Sequence, residues 1–179
     1  MIPDIGLIGV FGGMGESNDT YESNDQDVTW YGVEAQYYLD SVTLYAQVGQ
    51  NESNSTHDAL DYTSLFARGA ARYFIDDNLM LQADLQYTRG NIHGDDMDAF
   101  GWGLKAKYRF EELPFALTAE YRGTDYDGHG QGSATEHVGL LGVSIAFGAS
   151  SLIEQDRYGA TLETPNLVVR APVWTSILD

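Results

Sequence analysis

The sequence predicts an all-β fold: an eight-stranded antiparallel up-and-down β-barrel over residues 1–147, followed by a short C-terminal extension at 148–179. Three observations predict it. Stretches in which apolar and polar residues alternate recur about every twenty residues, the period-two signature of strands with two unlike faces. Short turns and longer polar loops join these stretches alternately, as an up-and-down meander requires. Finally, the charged residues of the strands collect on one face and leave the other apolar.

Residues 4–13 form a glycine-rich first strand with Ile5, Leu7, Gly9 and Phe11 on one face, and a polar loop follows at 15–27. Residues 28–39 set Tyr31, Val33, Ala35, Tyr37 and Leu39 against Trp30, Gly32, Glu34, Gln36 and Tyr38, and Asp40-Ser41 is a tight turn. Residues 42–50 set Val42, Leu44, Ala46 and Val48 against Thr43, Tyr45 and Gln47, before a polar loop at 51–59. The long stretch 60–75 carries Leu65, Ala67, Gly69, Ala71 and Tyr73 opposite Phe66, Arg68, Ala70, Arg72 and Phe74. Asp76-Asp77-Asn78 then supplies turn chemistry.

In 79–89, Leu81, Ala83, Leu85 and Tyr87 alternate with Met80, Gln82, Asp84 and Gln86, and another polar loop covers 90–98. The clearest alternation is 99–110, with Phe100, Trp102, Leu104, Ala106, Tyr108 and Phe110 on one side and Gly101, Gly103, Lys105, Lys107 and Arg109 on the other. A turn at 111–114 leads to 115–125, where Phe115, Leu117, Ala119 and Tyr121 oppose Ala116, Thr118, Glu120 and Arg122. After a glycine-rich loop at 126–135, residues 136–147 read as the closing strand, with Leu141, Val143, Ile145 and Phe147 on its apolar face.

The charges decide which face meets what. Six basic residues, Arg68, Arg72, Lys105, Lys107, Arg109 and Arg122, share one side with Glu34, Asp84 and Glu120. A water-soluble ligand-binding barrel would place its charges outside; here the apolar face is the outer one, which calls for lipid. Strands of this length suit a tilted bilayer crossing of about 9–11 residues, whereas no run reaches the ~20 residues of a helical span. Negative mean hydropathy follows from the alternation itself. Aromatics near the strand ends, such as Tyr37, Tyr73, Phe115 and Phe147 by the turns and Tyr31, Tyr87, Phe100 and Tyr121 by the loops, read as two interfacial girdles.

With 27 acidic against 9 basic residues, the chain lacks the basic footprint of a nucleic-acid binder. Its 43% hydrophobic content speaks against general disorder. There is no cysteine, hence no disulfide framework, thiolate metal site or Cys nucleophile. Met1-Ile2-Pro3-Asp4 shows neither a basic n-region nor a long apolar h-region, so for an exported chain the numbering is expected to start near the mature end or at a Met added for expression.

On strand count, loop asymmetry and the closing Gly-Val-Ser-Ile-Ala-Phe ending at Phe147, residues 4–147 resemble the small eight-stranded outer-membrane proteins of Gram-negative bacteria. These include the membrane domain of outer-membrane protein A and the OmpX-like and other porin-family proteins. The resemblance implies a bacterial outer-membrane location with long loops extracellular and both termini periplasmic. It also implies contact with outer-membrane lipid and lipopolysaccharide, and recognition by the barrel-assembly machinery through Val143, Ile145 and Phe147. The chain departs from that family after Phe147, where the 148–179 tail is too short for a folded peptidoglycan-binding domain.

The tail reads as a periplasmic extension, extended or partly ordered, with weak extended patches at 158–162 and 167–170. Alternatively it is a docking arm for a protein partner or a neighbouring copy, with Leu167, Val168, Val169 and Trp174 among its sticky residues. The interior charges, with Gln36, Gln47, Gln82, Gln86, Tyr38 and Tyr45, are expected to pair as a salt-bridge plug. An excess of cations leaves open a small-solute pore with a cationic lumen. His93, Asp95, Asp96, Asp127 and His129 are weak cation-site candidates without a spaced ligand signature. No histidine is followed by Ser two residues on, and a charged lumen does not suit a hydrocarbon chain, so a lipid A-modifying enzyme fits less well. The expectation is a non-enzymatic barrel without cofactor, serving envelope integrity, surface contact, or a complex anchored through its tail.

Overall fold

The computed structural model describes residues 5–18, 25–55, 62–92, 95–111, 113–128, 132–145 and 150–159. Its strands are β1 (Gly6–Asn18), β2 (Asp25–Tyr38), β3 (Val42–Ser55), β4 (Tyr62–Asp76), β5 (Leu79–Ile92), β6 (Asp95–Arg109), β7 (Phe115–Gly128) and β8 (Gly132–Ile145), and one helix follows, α1 (Leu152–Tyr158). Every strand pairs antiparallel with the next, giving one eight-stranded up-and-down sheet in the order β1 to β8. The expected all-β meander is therefore what the chain adopts. Among the described residues β1 and β8 are edges, with no bonded pairing between them.

The strands run further into the loop side than the alternation suggests. Asn18, Ser17 and Glu16 pair with Asp25, Gln26 and Asp27, all placed in a loop by their polarity. Likewise Gly90, Asn91 and Ile92 pair with Met97, Asp96 and Asp95. The ladder is made by backbone groups, which pair in the same way whatever the side chain. The polar tips are thus strand extensions, and the fourth alternating stretch is strand over its described residues, Tyr62–Asp76.

The sheet is curled so that one face is enclosed. Gln36, Tyr38, Thr43, Tyr45, Gln47, Arg68, Arg72, Gln82 and Gln86 are all buried, while the neighbouring Leu44, Val48, Leu81 and Leu85 are exposed. The apolar side is outward, as the charge pattern requires: Ile8 is 77% exposed, Leu104 59% and Leu141 90%. An interior made of arginines and glutamines beneath an apolar exterior inverts the usual soluble arrangement.

Close packing inside depends on two glycines. Phe11, Gly32, Gly49 and Phe66 occupy one row across β1 to β4, and the two rings meet at a centroid distance of 6.2 Å. A Cβ on Gly32 would lie 2.5 Å from Phe11 Cζ, and one on Gly49 would lie 2.8 Å from Phe66 Cζ. The aromatics therefore occupy the space that two side chains would have filled.

Helix α1 corrects the reading of the tail's first patch: Tyr158, expected in an extended segment, is the last residue of a helix. Ser151 is the N-cap, its side chain accepting from the Glu154 N–H, and the Gly159 N–H closes the other end on Gln155 O at 3.0 Å. Seven residues are too few for a helix stable by propensity alone. Docking holds it: Leu152 is buried with Phe74, Met80 and Ala116, and the Leu152 N–H donates to Asp77 O at 2.8 Å.

A charged interior closed by a tail helix

All nine residues expected in the interior charge network sit on inward positions of β2, β4, β5, β6 and β7. Arg68 donates through Nε to Asp84 Oδ1 at 2.9 Å, and its Nη2 lies 2.9 Å from the same oxygen. Lys105 Nζ lies 3.5 Å from Glu120 Oε2, and Arg122 bonds the other oxygen of Glu120 through Nε. Tyr45 donates its hydroxyl to Glu34 Oε2 at 2.7 Å. Its ring underlies both Arg72 and Arg68, with guanidinium carbons 5.0 and 5.9 Å from the centroid. These pairs meet the demand that buried charge be paired and hydrogen-bonded; Arg109 differs, its Nε and Nη1 being buried without a hydrogen-bond partner.

The pairing differs from expectation at Arg72. Its Nε donates to Gln82 Oε1 at 3.1 Å, and its carboxylate partner is Asp156 of α1. Thr43 Oγ1 donates to the second oxygen of Asp156 at 2.6 Å. Arg157, next along the helix, donates to Leu39 O and, at 2.8 Å, to Asp40 O, and stacks its guanidinium over Tyr38 at 5.6 Å. Helix α1 thus bridges the β2–β3 and β4–β5 turns and closes that end of the interior. Sequence reasoning assigned no role to Asp156, Arg157 or Glu154. The available signal was Ser151-Leu152-Ile153-Glu154, the spacing of a capping box, followed by Gly159.

Glu154 serves the helix start rather than the interior. Its Oε2 accepts from the Ser150 hydroxyl and, at 2.6 Å, from the Ser150 N–H. These bonds, the hydroxyl first, hold its carboxyl below the usual range, with Arg109 adding to the effect.

A cavity of about 10 Å³ lies among Arg68, Asp84, Gln86, Gly101, Trp102 and Arg122, room for about one water molecule. Gln47 is 1% exposed with both amide atoms lacking a protein partner, a second place for ordered water.

Of the remaining candidates, Val143 and Ile145 lie outward on β8, while Phe147 is outside the described residues. So are His93 and His129, and Leu167, Val168, Val169 and Trp174 of the proposed docking arm; the side chain of Asp95 is likewise outside. Asp96 pairs with Arg89 at 3.5 Å and accepts from Asn91 at 3.3 Å, and Asp127 points outward on β7. Among the described residues no group of three or more His, Asp or Glu is placed to hold a metal ion. His137 stacks on Tyr121, whose hydroxyl is 2.9 Å from Nδ1, with the Trp102 ring at 6.2 Å. This aromatic cluster lies on the outer face near the loop ends.

No family model matches the chain, and no curated protein or solved structure does so either. Among the described residues no helix is long and apolar enough to cross a membrane, which leaves crossing by strands as a separate question.

Proposed function

We propose that the chain is a non-enzymatic β-barrel of the bacterial outer membrane, with a structural or interaction role at the cell envelope. The observation that carries this reading is the inversion of the two faces. Outward Ile8, Val10, Val48, Leu65, Leu104, Leu141 and Val143 are all more than half exposed, while the buried face holds the paired arginines and glutamines. In water this exterior would aggregate; in a bilayer it is the solvated side.

The reading carries a structural requirement. Unpaired strand edges are not tolerated in hydrocarbon, so β1 and β8 pair with each other in the membrane and complete the barrel. The short turns and α1 then face the periplasm, and the polar strand tips face outward. The ion pairs of Arg68, Arg72, Lys105 and Arg122 with interior carboxylates support a filled lumen over an open anion pore.

The test is expression behind an export signal, followed by separation of inner and outer membranes on a density gradient. Recovery in the outer-membrane fraction, with gel migration that changes on boiling, is the expected result. Recovery in the periplasmic soluble fraction as a folded monomer would refute the assignment. Stable, anion-selective conductance of the purified chain in planar bilayers would replace the structural role with the pore.

A further inference from the structure

The interior carboxylates are not divided evenly among the interior cations. Arg68 takes Asp84 Oδ1 with both Nε and Nη2, and the two form a neutral pair. Glu120 is shared: its Oε2 lies 3.5 Å from Lys105 Nζ, while its Oε1 accepts from Arg122 Nε. Among the described residues, Nε is the one guanidinium nitrogen of Arg122 with a bonded partner. Its two terminal nitrogens are left to something else.

Arg122 borders the cavity of about 10 Å³ that Arg68, Asp84, Gln86, Gly101 and Trp102 also line. Two guanidinium groups thus face it against one carboxylate, a surplus of one positive charge. Asp84 does not answer both, because Arg68 holds its Oδ1 and its Oδ2 lies over Gly103. A surplus charge taken out of bulk water calls for a counter-ion, and a site with room for about one water molecule admits only a monatomic one. Water would fill the space without answering the charge. The missing side chain of Gly101 contributes the room: a Cβ there would meet nothing nearer than 3.8 Å, its closest neighbours being Gln86 Cβ, Gly123 O and Thr124 Oγ1.

We propose that this cavity binds a chloride ion, taken up as the chain folds. The ion accepts charge-assisted hydrogen bonds from the terminal nitrogens of Arg122, and the positive charge of Arg68 on β4 adds to its attraction. The site belongs to the interior and does not depend on which solvent meets the outer face.

The test is urea unfolding of the full chain in neutral detergent micelles, with chloride exchanged for gluconate, an anion too large for the cavity. Ionic strength is held constant so that screening does not change. The folding constant of the wild-type chain is expected to rise with chloride, approaching about ten-fold for each ten-fold increase, the slope of a single bound ion. Gly101→Ala fills the cavity and keeps every charge; Arg122→Gln keeps the cavity and removes the charge. Both are expected to lose the chloride dependence. Wild-type stability indifferent to the exchange overturns the proposal and leaves the cavity to water. The wild-type chloride dependence persisting in either folded variant overturns it too. If one variant does not fold, the other decides. If neither folds, crystals grown in bromide decide: an anomalous peak between Arg68 and Arg122 supports the site, and its absence overturns it.

Discussion

The carboxylate of Asp156 accepts from Arg72, a residue 84 positions earlier in the chain, inside the end of the sheet that α1 closes. Both side chains are buried, so neither has water as an alternative partner. The helix is thereby part of the interior's charge balance, and the tail cannot be removed without leaving a guanidinium short of its counter-charge.

Asp156→Ala is expected to destabilise the folded chain by about 3 kcal/mol, the usual cost of removing one partner of a buried pair. Asp156→Asn, which keeps one acceptor oxygen for Arg72 and an amide that can donate to the Thr43 hydroxyl, is expected to cost less. Urea unfolding in micelles, followed by strand circular dichroism, measures both; equal stability of Asp156→Ala and wild type would show that the pair is solvent-screened.

Arg68 and Asp84 form the corresponding pair within the sheet, 16 residues apart. Asp84→Ala alone is expected to cost about 3 kcal/mol, whereas the double change Arg68→Met with Asp84→Leu costs markedly less, because it removes both buried charges together. A double-mutant cycle on unfolding midpoints reads the difference. Additive losses would mean that the two residues act independently.

The start of α1 should respond to acid. Bonds from Ser150 keep Glu154 below the 4.5 of an ordinary glutamate. A carboxyl depressed in the folded state contributes stability that is fully present above its unfolded pKa and is lost as pH falls through the folded one. Helix docking should therefore hold at neutral pH and weaken below about pH 4.5. Limited proteolysis between pH 3 and 7 should show cleavage around residues 150–159 rising in acid, with Glu154→Gln already more susceptible at pH 7.

Leu104 tests the outer face. It lies outward on β6 and is 59% exposed. In a bilayer, Leu104→Arg is expected to cost about 2–4 kcal/mol for a position near the midplane and less toward the interfaces. Folding yield into lipid vesicles compared with wild type checks this. An unchanged or improved yield, with the chain staying in solution, would point to an exterior that faces water.

Much of this was legible before any coordinates. The alternation of Gly101, Gly103, Lys105, Lys107 and Arg109 with Phe100, Trp102, Leu104, Ala106 and Tyr108 assigns both strand and faces, because side chains on a strand project to opposite sides with period two. The loop boundaries were less legible, since Asp25, Gln26 and Asp27 are polar yet their backbones pair. The capping box at Ser151 was present in the sequence, but a seven-residue helix has too little periodicity to announce itself and is stable only where Leu152 finds Phe74, Met80 and Ala116.

By itself, then, the sequence determined the strands, their order and which face is charged, all of which follow from local patterning. Only the tertiary structure decided how the charges are shared: Glu120 between Lys105 and Arg122, Asp84 to Arg68, and Asp156 to Arg72. Buried charges take the partner that the curled sheet and the docked helix bring within reach in the low-dielectric interior, and that choice depends on distances between elements that no local pattern carries.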